Sequence, residues 1–349
     1  MRDRADVLAG VLLGTAVGDA LGLPREGLSP RRAARLYGAP PLRHRFLLGR
    51  GMTSDDTEHA ALVAQALLRH PDAAGRFARS LGWGLRWWFA GLPAGIGRAT
   101  LQACVKLWLG FSPARSGVFS AGNGPAMRSA LLGVQLGHDR AKLRAYVEAS
   151  TRLTHTDPKA LRGAMLVALA AYHGATRGPA NVSAQDFFAD ARAALPDLDA
   201  DLDGRLRQVE AHVAKQSSAS DLAVALGLER GVSGYMYHTV PVVLFGWLRW
   251  PGDFRRAVEE VIALGGDSDT TGAIVGALAG GTNGAGAIPT EWLRLAEWPR
   301  SVGWLRRLAG RLAAGQGALP LFWPALPVRN LLFFLAVLVH VVRRLLPPY

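Results

Sequence analysis

Apolar residues recur along this chain at three- and four-residue spacings rather than in strict alternation, which predicts helices rather than strands. A helix is expected over 5–20, a second from Ala60 to Leu68, an interrupted helical region to about residue 115, and further helices over 141–152 and from Pro158 to Tyr172. Another apolar helix follows Gly234–Pro241, and a pair of helices flanks Gly265–Gly272. No stretch alternates cleanly enough to read as a sheet, so the expected fold class is all-α. Pro24, Pro30, Pro40 and Pro41 mark a loop-rich run over 23–52. Residues 174–204 carry Gly, Pro and Ser, then acids alternating with apolar residues from Pro196 to Asp203. They read as a solvated surface connection, without the spacing of an EF-hand loop.

Two of these helices carry glycine at every fourth position: Gly10, Gly14 and Gly18 in the first, Gly272, Gly276 and Gly280 in the other. Such spacing puts one smooth stripe on each helix. Packed stripe to stripe, the two would approach closely and bring Asp19 to the acidic turn that precedes Gly272. The apolar run after Arg2 and Arg4 also has the outline of a signal peptide. Asp3 and Asp6 in its basic start, and the glycine repeat, favour a buried helix.

The candidate chemistry sits on two short turns. Gly265-Gly266-Asp267-Ser268-Asp269-Thr270 stops one helix with a glycine and starts the next with a carboxylate. Gly51-Met52-Thr53-Ser54-Asp55-Asp56-Thr57-Glu58 has the same design. The plain reading of each is a helix cap, and Asp55 with Glu58 matches a capping box. Yet acid is scarce, with 27 Asp and Glu against 40 Lys and Arg. Two acidic clusters of one design therefore point to a shared site. Crowded oxygen ligands suit Mg²⁺ or Mn²⁺, and a cation removes their mutual repulsion.

Charge and composition change the picture little. Net charge is +13, but only four of the 40 cations are lysines and the arginines are scattered. Nucleic acid is not the expected partner, although a positive surface would steer a pyrophosphate substrate. Cys104 is the single cysteine, so no internal disulfide forms, which fits a reducing cytoplasm. It lacks a nearby base and reads as packing. Trp83, Trp87 and Trp88 read as core or helix contacts. Residues 1–318 are expected to form the globular domain, with 319–349 a separate apolar tail. Leu331–Val342 is apolar for twelve residues, short of the ~20 that cross a bilayer. A helix docked over 331–346 is the first reading. A membrane-surface or partner-binding helix is the second, because Arg343 and Arg344 suit an anionic leaflet.

Taken in order, five segments make the chain resemble the ADP-ribosylglycohydrolase family: Gly14–Gly22, Ser54–Thr57, Asn123–Arg128, Thr154–Pro158 and Gly266–Thr270. The resemblance covers roughly residues 5–300 and not the tail. It implies a compact orthogonal multi-helix bundle around a binuclear metal site. The implied reaction is hydrolysis at the anomeric carbon of ADP-ribose, removing it from a protein side chain or a small conjugate. By the resemblance, Ser54, Asp55, Asp56, Asp267, Asp269 and Thr270 would hold two Mg²⁺ or Mn²⁺ ions. Asp55 or Asp56 would take the proton of the attacking water. Glu26, seven residues after Asp19, would lie on a mobile flap over the metals. Asn123 and Gly124 would hold ribose and phosphates, His155 the ribose, and Tyr235 (or Tyr237) the adenine. Two other readings are a catalytically idle relative that keeps the fold and a metal-dependent phosphoester hydrolase.

Overall fold

The computed structural model describes residues 3–347. In chain order its helices are α1 (Arg4–Gly22), α2 (Pro30–Tyr37), α3 (Asp55–Arg69), α4 (Ala74–Ala90), α5 (Arg98–Trp108), α6 (Ala130–Leu136), α7 (Arg140–Arg152) and α8 (Pro158–Arg177). Then come α9 (Ala184–Ala194), α10 (Ala200–Ala214), α11 (Ala219–Ala225), α12 (Met236–Arg249), α13 (Phe254–Ile262), α14 (Ser268–Asn283), α15 (Val302–Ala314) and α16 (Ala325–Leu345). Among the described residues there is no sheet, only isolated bridges, so the protein is all-α.

The axis of the fold is the antiparallel pair α1 and α14. Every residue of α1 from Val7 to Gly22 is buried, as is every residue of α14 from Ser268 to Thr282. The glycine stripes meet backbone to backbone. A Cβ added at Gly14 would stand 2.1 Å from the Gly276 carbonyl oxygen, and one at Gly18 1.9 Å from that of Gly272. No side chain fits between these helices. The N-terminal run that resembles a signal peptide is thus core helix, and its end delivers Asp19 beside the start of α14.

Around this pair, α3, α6, α8, α12, α13 and α15 bury their apolar faces in one continuous cluster. Residues 174–204 depart from the expected surface connection. Leu198, Leu202, Leu206 and Val209 have helical spacing and pack toward the core. Asp199 is the N-cap of α10, accepting from Leu202 N at 3.0 Å. The alternation of acids was the outer face of a helix start. Trp88 is core and Trp87, though exposed, packs edge-on against Trp108 of α5, as expected; Trp83 is exposed on α4 and meets Arg86 of its own helix.

The tail helix is longer than the expected 331–346. Pro327 lies in the first turn of α16, where its missing N–H costs nothing, so the helix begins six residues earlier, at Ala325. Arg329 is not a break either. It is buried against Glu297, with Nη2 to Oε1 at 2.6 Å. Residues 348 and 349 of the expected tail lie outside the described residues.

Candidate functional site

The first acidic turn is capped from another helix. Asp19, at the end of α1, accepts the backbone N–H groups of Ser54 (2.9 Å) and Thr57 (3.2 Å) and the Thr57 hydroxyl (2.5 Å). Burial raises its pKa to about 7, against the pull of these donors. Because Asp19 serves α3's first turn, the carboxylates of that turn are released for other use. Asp56 Oδ2 accepts the Ser54 hydroxyl at 3.1 Å and the Thr270 hydroxyl at 3.2 Å, which ties the first turn to the second. Its Oδ1 is buried without a partner. Glu58 turns away to Arg300 (2.5 Å) and Trp88 Nε1 (2.5 Å), so no capping box forms.

The second turn hangs on Gly266, whose φ of 78° favours glycine. Its N–H donates to Leu28 O at 2.8 Å, and its carbonyl accepts from Gly27 N at 2.7 Å. Asp267 N donates to Val232 O at 2.7 Å. Asp267 occupies the N-cap position of α14, but its side chain makes no cap bond. It instead accepts the Asn123 amide Nδ2 at 2.5 Å. One oxygen from each of Glu26, Asp267 and Asp269 lies within 4.8 Å of the others. Burial first, then the charges of their neighbours, push Asp55, Asp56 and Asp269 well above the usual carboxylate range. Asp267 is raised by burial, opposed by the Asn123 amide. Loss of solvent and then the Asp267 charge raise Glu26.

These groups open into one cavity of about 550 Å³. Glu26, Asp55, Asp267, Asp269 and Thr270 line one side. Gly122, Asn123, Gly124 and His155 line another, and Arg98 and Arg230 stand exposed at its edge. Ser54 and Asp56 lie behind Asp55 and do not line it. Arg128 Nη2 donates to Thr154 Oγ1 at 2.7 Å, so that hydroxyl is free to donate to His155 Nδ1 at 2.8 Å. That leaves His155 Nε2 carrying the proton. Burial, then Arg128, lower its pKa to about 3, so the ring is neutral. A Cβ at Gly122 would approach His155 Nε2 to 2.9 Å, which explains the small residues there. Asn123 is held by Thr239 Oγ1 (2.9 Å) as well as by Asp267.

Tyr235 does not join this set. Its hydroxyl accepts Lys159 Nζ at 2.8 Å, its ring packs edge-on to His238, and it lies outside the cavity lining. Tyr237 is buried, with its hydroxyl on Asp199 at 2.6 Å. Among the described residues no Phe, Tyr or Trp lines the cavity, although Ser233 and Gly234, next to Tyr235, do. Cys104 is buried and its pKa pushed up to about 12, as packing requires. Arg98 and Arg230 escaped sequence reasoning because both stand in loop or helix-start positions without a motif.

A family model for ADP-ribosylglycohydrolases matches residues 1–319. The chain belongs to this family. The family is one of hydrolases and is metal-dependent in general. The chain is 32% identical over 300 residues to an uncharacterized protein of Archaeoglobus fulgidus, covering 81% of this chain and 88% of that one. It is 28% identical over 308 residues to the ADP-ribosyl-[dinitrogen reductase] glycohydrolase of Rhodospirillum rubrum, covering 84% and 90% respectively. A solved structure titled ADP-ribosylglycohydrolase-related protein complex superposes with a TM-score of 0.67 at 29% identity, covering 90% of this chain and 99% of that one. The family match stops before α16.

Proposed function

We propose that this protein is a Mg²⁺- or Mn²⁺-dependent ADP-ribosylhydrolase that cleaves the glycosidic bond at the anomeric carbon of ADP-ribose. The substrate class is an ADP-ribosylated protein side chain or a small ADP-ribosyl conjugate. The observation that carries the reading is the division of charge within one cavity: carboxylates from two distant turns on one wall, arginines at the edge. A hydroxyl-rich sugar joined to a pyrophosphate has the complementary division. The cavity volume lies in the range of small-molecule sites.

The residues fit divalent cations. Asp56 Oδ1 is buried and unpartnered, and Glu26, Asp267 and Asp269 converge. Carboxylates crowded this closely repel one another when ionised, and bound cations would relieve that repulsion. Ser54, Asp55, Asp56, Asp267, Asp269 and Thr270 would hold the ions, with Glu26 beside them. When bound, such ions supply positive charge that orients sugar hydroxyls and acidifies water. Asp55 is the one carboxylate of the first turn that faces the cavity, which places it to accept a proton from the attacking water. Neutral His155 offers an Nε2–H donor to an oxygen of the sugar. Asn123, fixed by Asp267 and Thr239, and Gly124 shape the opposite wall. Arg98 and Arg230 would meet the pyrophosphate.

The test is incubation with ADP-ribosylated arginine, serine and small ester substrates, with Mg²⁺, Mn²⁺ or EDTA, followed by identification of products. Free ADP-ribose that appears only with the cations supports the reading. AMP as the product would replace it with metal-dependent hydrolysis at phosphorus, breaking the pyrophosphate rather than the glycosidic bond. Tight ADP-ribose binding without turnover of any substrate would make the protein an idle relative.

A further inference from the structure

The tail helix is inside out. Its docked side carries the polar residues Arg329, Asn330, His340 and Arg344, with Ala325, Phe333, Ala336 and the half-buried Val337 as apolar partners. Arg329 bonds Glu297 and the Thr53 carbonyl. Asn330 Nδ2 donates to Gly91 O at 2.6 Å. His340 meets the Tyr37 hydroxyl at 3.1 Å and Phe46 O at 2.9 Å, and its ring stacks on Phe46. Arg344 donates to Pro24 O at 3.0 Å. The outward side repeats at three and four residues through Val328, Leu331, Leu335, Val339, Val342 and Leu345, all exposed, up to 70% at Leu345. A continuous apolar strip of this size, facing water, marks a contact surface.

We infer that α16 lies in the plane of an anionic membrane, its outer strip in the lipid and its polar side on the protein. Charge chooses the occupant. Residues 28–50 and 319–347, the helix and one long segment packed on it, contain no Asp or Glu, and the two acids that meet the helix, Glu58 and Glu297, are buried against Arg300 and Arg329. The two segments present exposed Arg45 next to Phe46, which packs on Phe333, exposed Arg31 next to Arg32, which donates to the Arg344 carbonyl, and Arg343 on the helix itself, with exposed Arg43 and Arg50 on the same segment as Arg45. Such a basic border attracts an anionic leaflet. A two-fold dimer through the same strip would set that border against itself. Exposed Phe322 and Trp323 at the head of the helix suit the lipid–water interface. By length and composition the helix is also sufficient to cross a bilayer. Crossing, however, would tear Arg329 from Glu297 and leave both charges without their partner. The in-plane arrangement keeps every docked contact.

The experiment uses the full chain, cosedimentation with vesicles of phosphatidylcholine alone or with phosphatidylglycerol, and size-exclusion light scattering. The expected result is binding to the phosphatidylglycerol vesicles, weakened by salt and absent from neutral ones. The double variant Leu335→Glu with Val339→Glu should weaken binding about tenfold or more, as should Arg43→Glu with Arg45→Glu. Circular dichroism melting of both should match the parent. Three outcomes overturn the inference. One is no vesicle binding, including a dimer that the Leu335/Val339 variant dissolves. Another is equal binding to neutral vesicles. The third is protein that neither salt nor alkaline carbonate releases, which would mean a spanning helix.

Discussion

Substituting Gly14→Ala tests whether the backbone contact of α1 and α14 sets the site. The new Cβ would stand 2.1 Å from Gly276 O, against an ordinary contact of 3.4 Å or more. The helices must therefore part by more than roughly 1 Å, and α1 is buried along this length, leaving no slack. Overpacking of this kind costs about 1–3 kcal/mol, and the upper end applies because the opposing atom is backbone rather than a movable side chain. At about 2.1 cal/mol/K per residue, a 349-residue chain unfolds with an entropy of roughly 0.7 kcal/mol/K, so Tm should fall by about 4 °C. The same parting lengthens the 3.2 Å link from Thr270 to Asp56, so Mn²⁺ affinity should fall along with Tm. Differential scanning calorimetry and a Mn²⁺ titration measure the two effects. Gly204→Ala, on the exposed face of α10 with open space around its Cβ, is the control. It should be neutral or stabilising by up to about 1 kcal/mol. A Gly14→Ala protein with unchanged Tm and unchanged Mn²⁺ affinity refutes the reasoning.

Asp55→Asn and Asp269→Asn should each lower hydrolysis by roughly 100-fold or more and reduce bound cation, while melting stays cooperative; metal analysis and rate assays check this. The raised carboxylates give a pH prediction. A folded pKa above the unfolded value stabilises the protein below the unfolded value, and that stability is lost as pH rises through the folded one. For Asp19, raised from 3.8 to about 7, the loss is roughly 4 kcal/mol. In EDTA, Tm should fall between pH 5 and 8, and Mg²⁺ or Mn²⁺ should restore it; a Tm that rises over this range in EDTA contradicts the account. Arg329→Met leaves Glu297 buried without its cation and should cost about 3–5 kcal/mol in urea unfolding. Adding Glu297→Gln should recover much of it, and a single-variant cost under about 1 kcal/mol would mean α16 is not held by this pair.

What the sequence made legible was local. The acidic turns announce themselves because helix stops and starts use few residue types, as at Gly266 and Ser54. The glycine seam follows from spacing alone. Other features depend on where distant segments meet. Nothing near Arg98 or Arg230 says that both edge one cavity. Glu297 and Arg329 are ordinary loop and tail residues until folding pairs them. Pro327 and Arg329 looked like interruptions of the tail, whereas the first is harmless in an opening turn and the second is neutralised. The Asp199–Asp203 run was misread because its acids drew attention from the helical spacing of Leu198, Leu202 and Leu206. Motif order singles out Tyr235, but order along the chain does not fix the direction of a ring, and here the Tyr235 hydroxyl accepts from Lys159.

The contacts at Gly266 also divide the cavity mechanically. Gly27, Gly266 and Asp267 each donate an amide to a neighbouring segment. These amides cannot exchange with solvent unless three stretches of chain separate together, and such opening is rare. Glu26 precedes Gly27 and so stands one residue from that knot. Among the described residues the loop from Leu92 to Gly97 makes no such backbone bonds to distant segments and is held by the packing of Ala94 and Ile96; Gly95 takes a positive φ, and a Cβ at Gly95 or Gly97 would touch nothing. The wall that carries the acids is thus laced across three segments by main-chain bonds, while the approach to Arg98 is held by side chains.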